Sequence, residues 1–188
     1  MTFTDIIYGI VFEPVNALKE ISQEQPLFRG LITFTAVSLL GLLASQAMKS
    51  NQESALVTGG IGWFIGSMGF LFSFINLFLM AGLFSLLSAI FFRKTNPISL
   101  LSCLCFSALP GVFGPTLGFA FVLTGHEGIS MGIIFISYLW VTVLSVLSLR
   151  EALELDTGQS ILLFFIPPAV FISVIVIVIM GLVIGASM

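Results

Sequence analysis

The sequence predicts an all-α integral membrane bundle of five transmembrane helices preceded by a short interfacial amphipathic helix. Three observations predict it. The 188 residues are 58% hydrophobic and only 8% charged, whereas roughly a quarter of a soluble domain is charged. Mean hydropathy is +1.19. The apolar residues also come in runs long enough to cross a bilayer, which takes about 20 residues per helix. Six cations and nine anions are too few to clothe a water-exposed globule of this size. The net charge of −3 offers no basic surface for nucleic acid, so none is expected as a partner.

The chain divides into an interfacial segment, residues 1–26, and a transmembrane domain, residues 27–188. Within 4–22, Ile6, Ile7, Ile10, Val11, Val15, Leu18 and Ile21 recur at helical spacing opposite Asp5, Glu13, Asn16, Lys19 and Glu20. This reads as one surface helix or two short ones, with Pro14 starting the second at its first turn, where its missing N–H costs nothing. Such a stripe lies flat at the interface or packs against the bundle.

Span one is read as 27–47, with Arg29 at its start, followed by a polar loop from Met48 to Ala55. The apolar run Gly59 to Phe92 is 34 residues, or about 51 Å as a helix. It is too long for one span and too short for two. Its glycine-rich start, with Trp63, is assigned to the outer interface, and span two to 70–92. Arg93 to Asn96 form a cationic turn, and Asn96 followed by Pro97 reads as an N-cap and first-turn proline. Span three, 98–123, is expected to break at Leu109 to Pro115. After the loop Thr124 to Gly128 comes span four, 129–149, and then the polar turn Arg150 to Gly158. Asp156 and Gln159 have capping-box spacing for span five, 160–184, which contains Pro167-Pro168.

With the N-terminus on side one, Lys19, Arg29, Arg93, Lys94 and Arg150 share that side and Lys49 alone faces the other. The positive-inside rule then predicts a multi-pass protein of the cell membrane with its N-terminus cytoplasmic and its C-terminus outside.

Four sets of residues are candidates for function. Pro110, Gly111, Gly114, Pro115, Pro167 and Pro168 mark helix breaks, read either as kinks or as the edge of a cavity. Asn76 is the mid-span amide, expected to bond across helices or to line a wet cavity, with Ser73, Ser85 and Ser88 on the same span. Gly62-xxx-Gly66 and Gly181-xxx-Gly185 match the small-residue packing motif, within the bundle or between subunits. Arg29, Arg93, Lys94, Arg150, Glu151 and Glu154 gather on the cytoplasmic face, as a solvated rim or a docking surface that also attracts anionic lipid. Cys103 and Cys105 point different ways on one helix and read as small apolar residues. His126 beside Glu127 is one titratable pair and no metal site. The spans carry no nucleophile with a base at helical spacing. No enzyme, catalytic residue, metal or cofactor is expected.

The arm Phe12 to Pro26, the stretch ALPGVFG (Ala108 to Gly114) and the run from Trp140 through REALELDTG to Pro167 together resemble the Yip family, in particular its small prokaryotic members. That resemblance covers nearly the whole chain and implies five spans. Eukaryotic members bind Rab-type GTPases through a longer cytosolic region with an Asp-Leu-Tyr-Gly-Pro stretch. That stretch is missing here, Phe12-Glu13-Pro14 being a poor stand-in, and the cytosolic arm is short, so GTPase binding is not carried over. The expected function is a non-enzymatic adaptor or organiser acting through helix packing and its cytoplasmic face. Its partners would be the bilayer, a second copy, or a cytosolic or membrane protein. The alternative is a passive transporter or channel for a small solute or lipid, using the breaks in spans three and five.

Overall fold

The computed structural model describes residues 3–52 and 60–186. The described residues form helices α1 (Phe3–Phe12), α2 (Pro14–Glu24), α3 (Leu27–Gln52), α4 (Gly60–Phe92), α5 (Pro97–Ser107), α6 (Phe113–Leu123), α7 (Glu127–Ala152) and α8 (Thr157–Ala186). A 3-10 turn, Leu109–Val112, joins α5 to α6. Five stretches among them are long and apolar enough to cross a membrane, with α5, the turn and α6 counting as one. The molecule is an all-α membrane bundle.

The amphipathic arm becomes two helices, divided at Pro14, which sits in the first turn of α2. Ala17, Leu18 and Ile21 are buried, so the apolar stripe of α2 is covered by protein. α2 runs antiparallel beside α5. The Cys103 thiol donates to the Leu18 carbonyl and the Ser99 hydroxyl to the Ser22 carbonyl. Of the two placements open to this segment, it takes packing against the bundle. Cys103 is fully buried beside it, and Cys105, also fully buried, sits against Gly30 of α3.

α5 is the central post. Ser99, Leu100 and every residue from Ser102 to Ser107 are buried among α2, α3, α4 and α7. Asn96 caps it as expected, its side-chain oxygen accepting from the Ser99 N–H at 3.2 Å. α6 and α7 form the most intimate helix pair. At α8, the Asp156 N–H donates to the Gln159 side-chain oxygen at 3.2 Å, half of the anticipated capping box.

Four expectations change. α3 continues past Ala47 to Gln52, because Met48 to Gln52 contains no glycine or proline to stop it; Glu53, Ser54 and Ala55 lie outside the described residues. α4 runs unbroken through Gly69-Phe70 for 33 residues, about 50 Å. Its glycines lower helix propensity without removing a hydrogen bond, so the interfacial piece is the start of the same helix. The break in span three is the short turn Leu109–Val112, which takes in Pro110 and Gly111. Gly114 and Pro115 belong to the first turn of α6, where proline needs no donor. Finally, α8 passes through Pro167-Pro168. Leaving the helix would strand still more backbone groups in hydrocarbon that cannot bond them, so a membrane helix continues through proline.

Candidate functional sites: a charged end and a lateral groove

Two regions combine polar groups with space. The first is the end of the bundle where α2 stops, α4 turns into α5, and α7 turns into α8. The Lys94 ammonium donates to the Glu154 carbonyl, tying the second turn to the third. Arg150 grips Glu151 through Nε and Nη2 at 2.8 and 2.6 Å, and its Nη1 reaches the Thr157 hydroxyl at 3.4 Å. Leu153 and Leu155 are buried on either side of Glu154, so the turn is pinned by an apolar residue at each shoulder. Ser85 and Thr95 share a 2.8 Å hydroxyl contact that holds the α4–α5 turn.

Among the described residues three non-glycines adopt positive φ, Gln25 (49°), Arg93 (57°) and Glu154 (52°), each just beyond the end of a helix at this end. A left-handed residue stops a helix tightly, and glycine or asparagine does so more cheaply. Each tight stop brings the next helix back at once, which leaves compact turns around a cleft of about 440 Å³ lined by Lys19, Gln23, Asn96, Arg150, Glu151 and Glu154. A second cleft of about 270 Å³ adjoins it, between Lys94, Thr95 and Glu154. The structure therefore brings Lys94, Arg150, Glu151 and Glu154 together. Arg29, in the first turn of α3, and Arg93 line neither cleft.

The second region is a groove of about 1000 Å³ along the bundle's side. α3, α4, α5, α7 and α8 all contribute to it. Pro167 and Pro168 line it, as does Asn76; Pro110, Gly111, Gly114 and Pro115 do not. The proline pair of span five thus borders a cavity without breaking its helix, whereas the break in span three interrupts its helix and borders no part of the groove. Phe84 and Phe164 stack across α4 and α8, with ring centroids 6.1 Å apart. Phe72 and Phe171, on the same two helices, are 66% and 67% exposed, so the groove opens sideways between them. Among the described residues Asn76 has no hydrogen-bond partner, so the helix-to-helix bond open to it is not made. The serines nearby are occupied: Ser73 donates to the Gly69 carbonyl, Ser107 to Leu104 and Ser145 to Val141.

The small-residue motifs divide. Gly62 accepts the Gln46 amide at 2.7 Å, and a Cβ on Gly66 would stand 2.4 Å from the same amide. This pair therefore packs α4 onto α3 inside one chain. The surroundings of Gly181 and Gly185 lie outside the described residues. Two further close glycine contacts, between α6 and α7, were not anticipated. A Cβ on Gly114 would lie 3.0 Å from Ser137, and one on Gly118 2.9 Å from Ser130 and 3.2 Å from Ile134. Gly114-xxx-Gly118 is itself a GxxxG match, hidden behind Pro115, whose presence marks the stretch as a break. His126 caps α7, its ring 3.2 Å from the Thr124 hydroxyl and its carbonyl accepting from Ser130. Glu127 follows in the first turn, where a carboxylate suits the helix dipole.

No curated protein and no solved structure matches the chain. The family model described as Yip1 domain matches residues 8–180, from α1 through the groove-lining half of α8 and beyond. That match takes in both regions described above, and with the five apolar helices it establishes that the chain belongs to the Yip1 domain family.

Proposed function

We propose that this protein is a non-enzymatic membrane adaptor or organiser whose working surface is its charged end. One observation carries the reading. Segments far apart in sequence are locked into a single polar platform, by the Lys94 bond to the Glu154 carbonyl and by α2 docked along α5. A fixed arrangement of mixed charges around clefts presents a partner with a preformed surface, which lowers the ordering cost of binding. Exposed mixed charge suits a cytosolic or membrane protein partner, with Lys94 and Arg93 near anionic headgroups. A second copy of the chain is the other partner class. The serine hydroxyls of the groove donate to carbonyls of their own helices, which leaves them poorly placed as nucleophiles.

We place the charged end in the cytoplasm, at the cell membrane. Five of the six Lys and Arg residues belong to it, as the positive-inside rule requires. Single cysteines at Gln23 and Thr124 test this, because the native Cys103 and Cys105 are fully buried. In sealed cells an impermeant maleimide should label Thr124→Cys and spare Gln23→Cys; the reverse pattern inverts the orientation. For the adaptor role, a photocrosslinker at position 23 should yield one defined adduct, a partner or a dimer. Monomer alone would refute it.

The groove beside Pro167 and Pro168 favours a second reading, passive movement of a small solute or lipid. Liposome flux measured with the parent chain and with Pro167→Ala would test it. Flux no greater than in protein-free vesicles would remove it.

A further inference from the structure

We propose that the lateral groove is a binding site for an uncharged membrane lipid that carries a carbonyl or hydroxyl group, held there by Asn76.

The depth comes first. α4 has 33 residues and is about 50 Å long, against a hydrocarbon layer of about 30 Å. Asn76 is its central residue. Any 30 Å slice of a 50 Å rod contains the midpoint, and tilt only shortens the projection. Asn76 therefore lies within the hydrocarbon wherever α4 sits along the membrane normal. Its side chain is exposed from the protein's side and lines the groove. At that depth exposure means lipid.

An amide in hydrocarbon is costly unless it is hydrogen-bonded. The three serines that share the groove already donate to their own helices. Asn76 is left with two donors and an acceptor and no partner among the described residues. Whatever occupies the groove satisfies this amide best through a carbonyl or a hydroxyl.

The rest of the lining defines the occupant's body. Phe34, Phe72, Phe84, Phe164 and Phe171 surround the space, and no Asp, Glu, Lys, Arg or His lines it. A phosphate or ammonium headgroup would enter hydrocarbon without a counter-charge, which is strongly unfavourable. A neutral lipid meets no such barrier. The volume, about 1000 Å³, is at the upper end for ligand pockets, enough for a small polar head and part of a chain. The sideways opening at Phe72 and Phe171 lets the remaining tail stay among the bulk acyl chains. Two neutral sources share this chemistry: a glycerol ester such as a diacylglycerol, and a flat ring such as a polyprenyl quinone, which the phenylalanines would also stack against.

The test is native mass spectrometry of the full chain released from micelles, offered a diacylglycerol, a two-isoprene quinone and phosphatidylglycerol. One neutral probe should add with one-to-one stoichiometry. Its occupancy should fall at least tenfold in Asn76→Leu, a lipid-facing apolar change that leaves the fold intact. It should fall equally in Ser145→Phe, which fills the groove and leaves Asn76 in place. If that variant fails to fold, Asn76→Leu decides alone. Which neutral probe adds identifies the source. No neutral adduct, or one that persists equally in Asn76→Leu, overturns the proposal. So does a phosphatidylglycerol adduct that Asn76→Leu abolishes. Occupancy and flux are separate readouts: a groove that holds lipid and passes nothing supports this inference and removes the conduction reading.

Discussion

The third and fifth spans make opposite use of similar material. In the third, α5 through α6, 56% of the most apolar window is buried inside the protein; in the fifth, α8, the figure is 6%. Yet the fifth is the more apolar of the two. In water the most apolar segment would be the core. In a bilayer the tails are as apolar as leucine, and nothing drives such a helix inward. What draws a span into this bundle is fit and polarity. The third span supplies Ser99 and Cys103 to bond α2, and Gly114 and Gly118 to let α7 approach. The fifth, beyond Pro168, offers exposed Val, Ile and Phe and remains with the lipid.

The contrast gives a ranked set of substitutions, each read by thermal unfolding in detergent. The largest loss is expected at Leu18→Ala, where a fully buried side chain on the inner face of α2 is removed. We expect about 3 kcal/mol, with the N-terminal helices becoming protease-sensitive. Gly118→Leu follows, because the new side chain would strike Ser130 and Ile134. Overpacking of this kind costs about 2 kcal/mol. Gln46→Leu removes the bond to the Gly62 carbonyl and should cost about 1 kcal/mol, in the range of interhelical hydrogen bonds. Ser173→Leu, on the exposed face of the fifth span, should change stability by less than about 0.5 kcal/mol. If Ser173→Leu proved as damaging as Gly118→Leu, the fifth span would be packed against something, and the contrast would fail.

Much of this was legible locally. Asn96-Pro97 as a cap, Pro14 as a helix start and Asp156 with Gln159 depend on near neighbours in sequence, and each has its hydrogen bond or its place in the structure. The gathering of Lys94, Arg150 and Glu154 joins turns far apart in sequence and was legible only through the count of charges on each side of the spans. The groove was legible only in part. Pro167 and Asn76 pointed towards it, but its walls come from five helices and are ordinary apolar residues, so no spacing rule collects them. Gly118 was missed for a different reason. Pro115 announces a break, and a proline in the first turn of a helix announces nothing of the kind. Pro167-Pro168 misled in the same direction, because a chain that leaves the helix in hydrocarbon strands further backbone groups that water would have bonded.

Those two prolines have one more consequence. Neither has an N–H, so the carbonyls of Leu163 and Phe164 lack the donors four residues ahead that would brace that stretch of α8. A rod missing two successive struts bends there at lower cost than anywhere else along its length. The hinge falls just past the Phe84–Phe164 stack, with a lipid-exposed half-helix beyond it as the lever. Phe171 lies on the far side of that point and Phe72 on α4, so a bend of α8 there would alter the width of the groove's mouth.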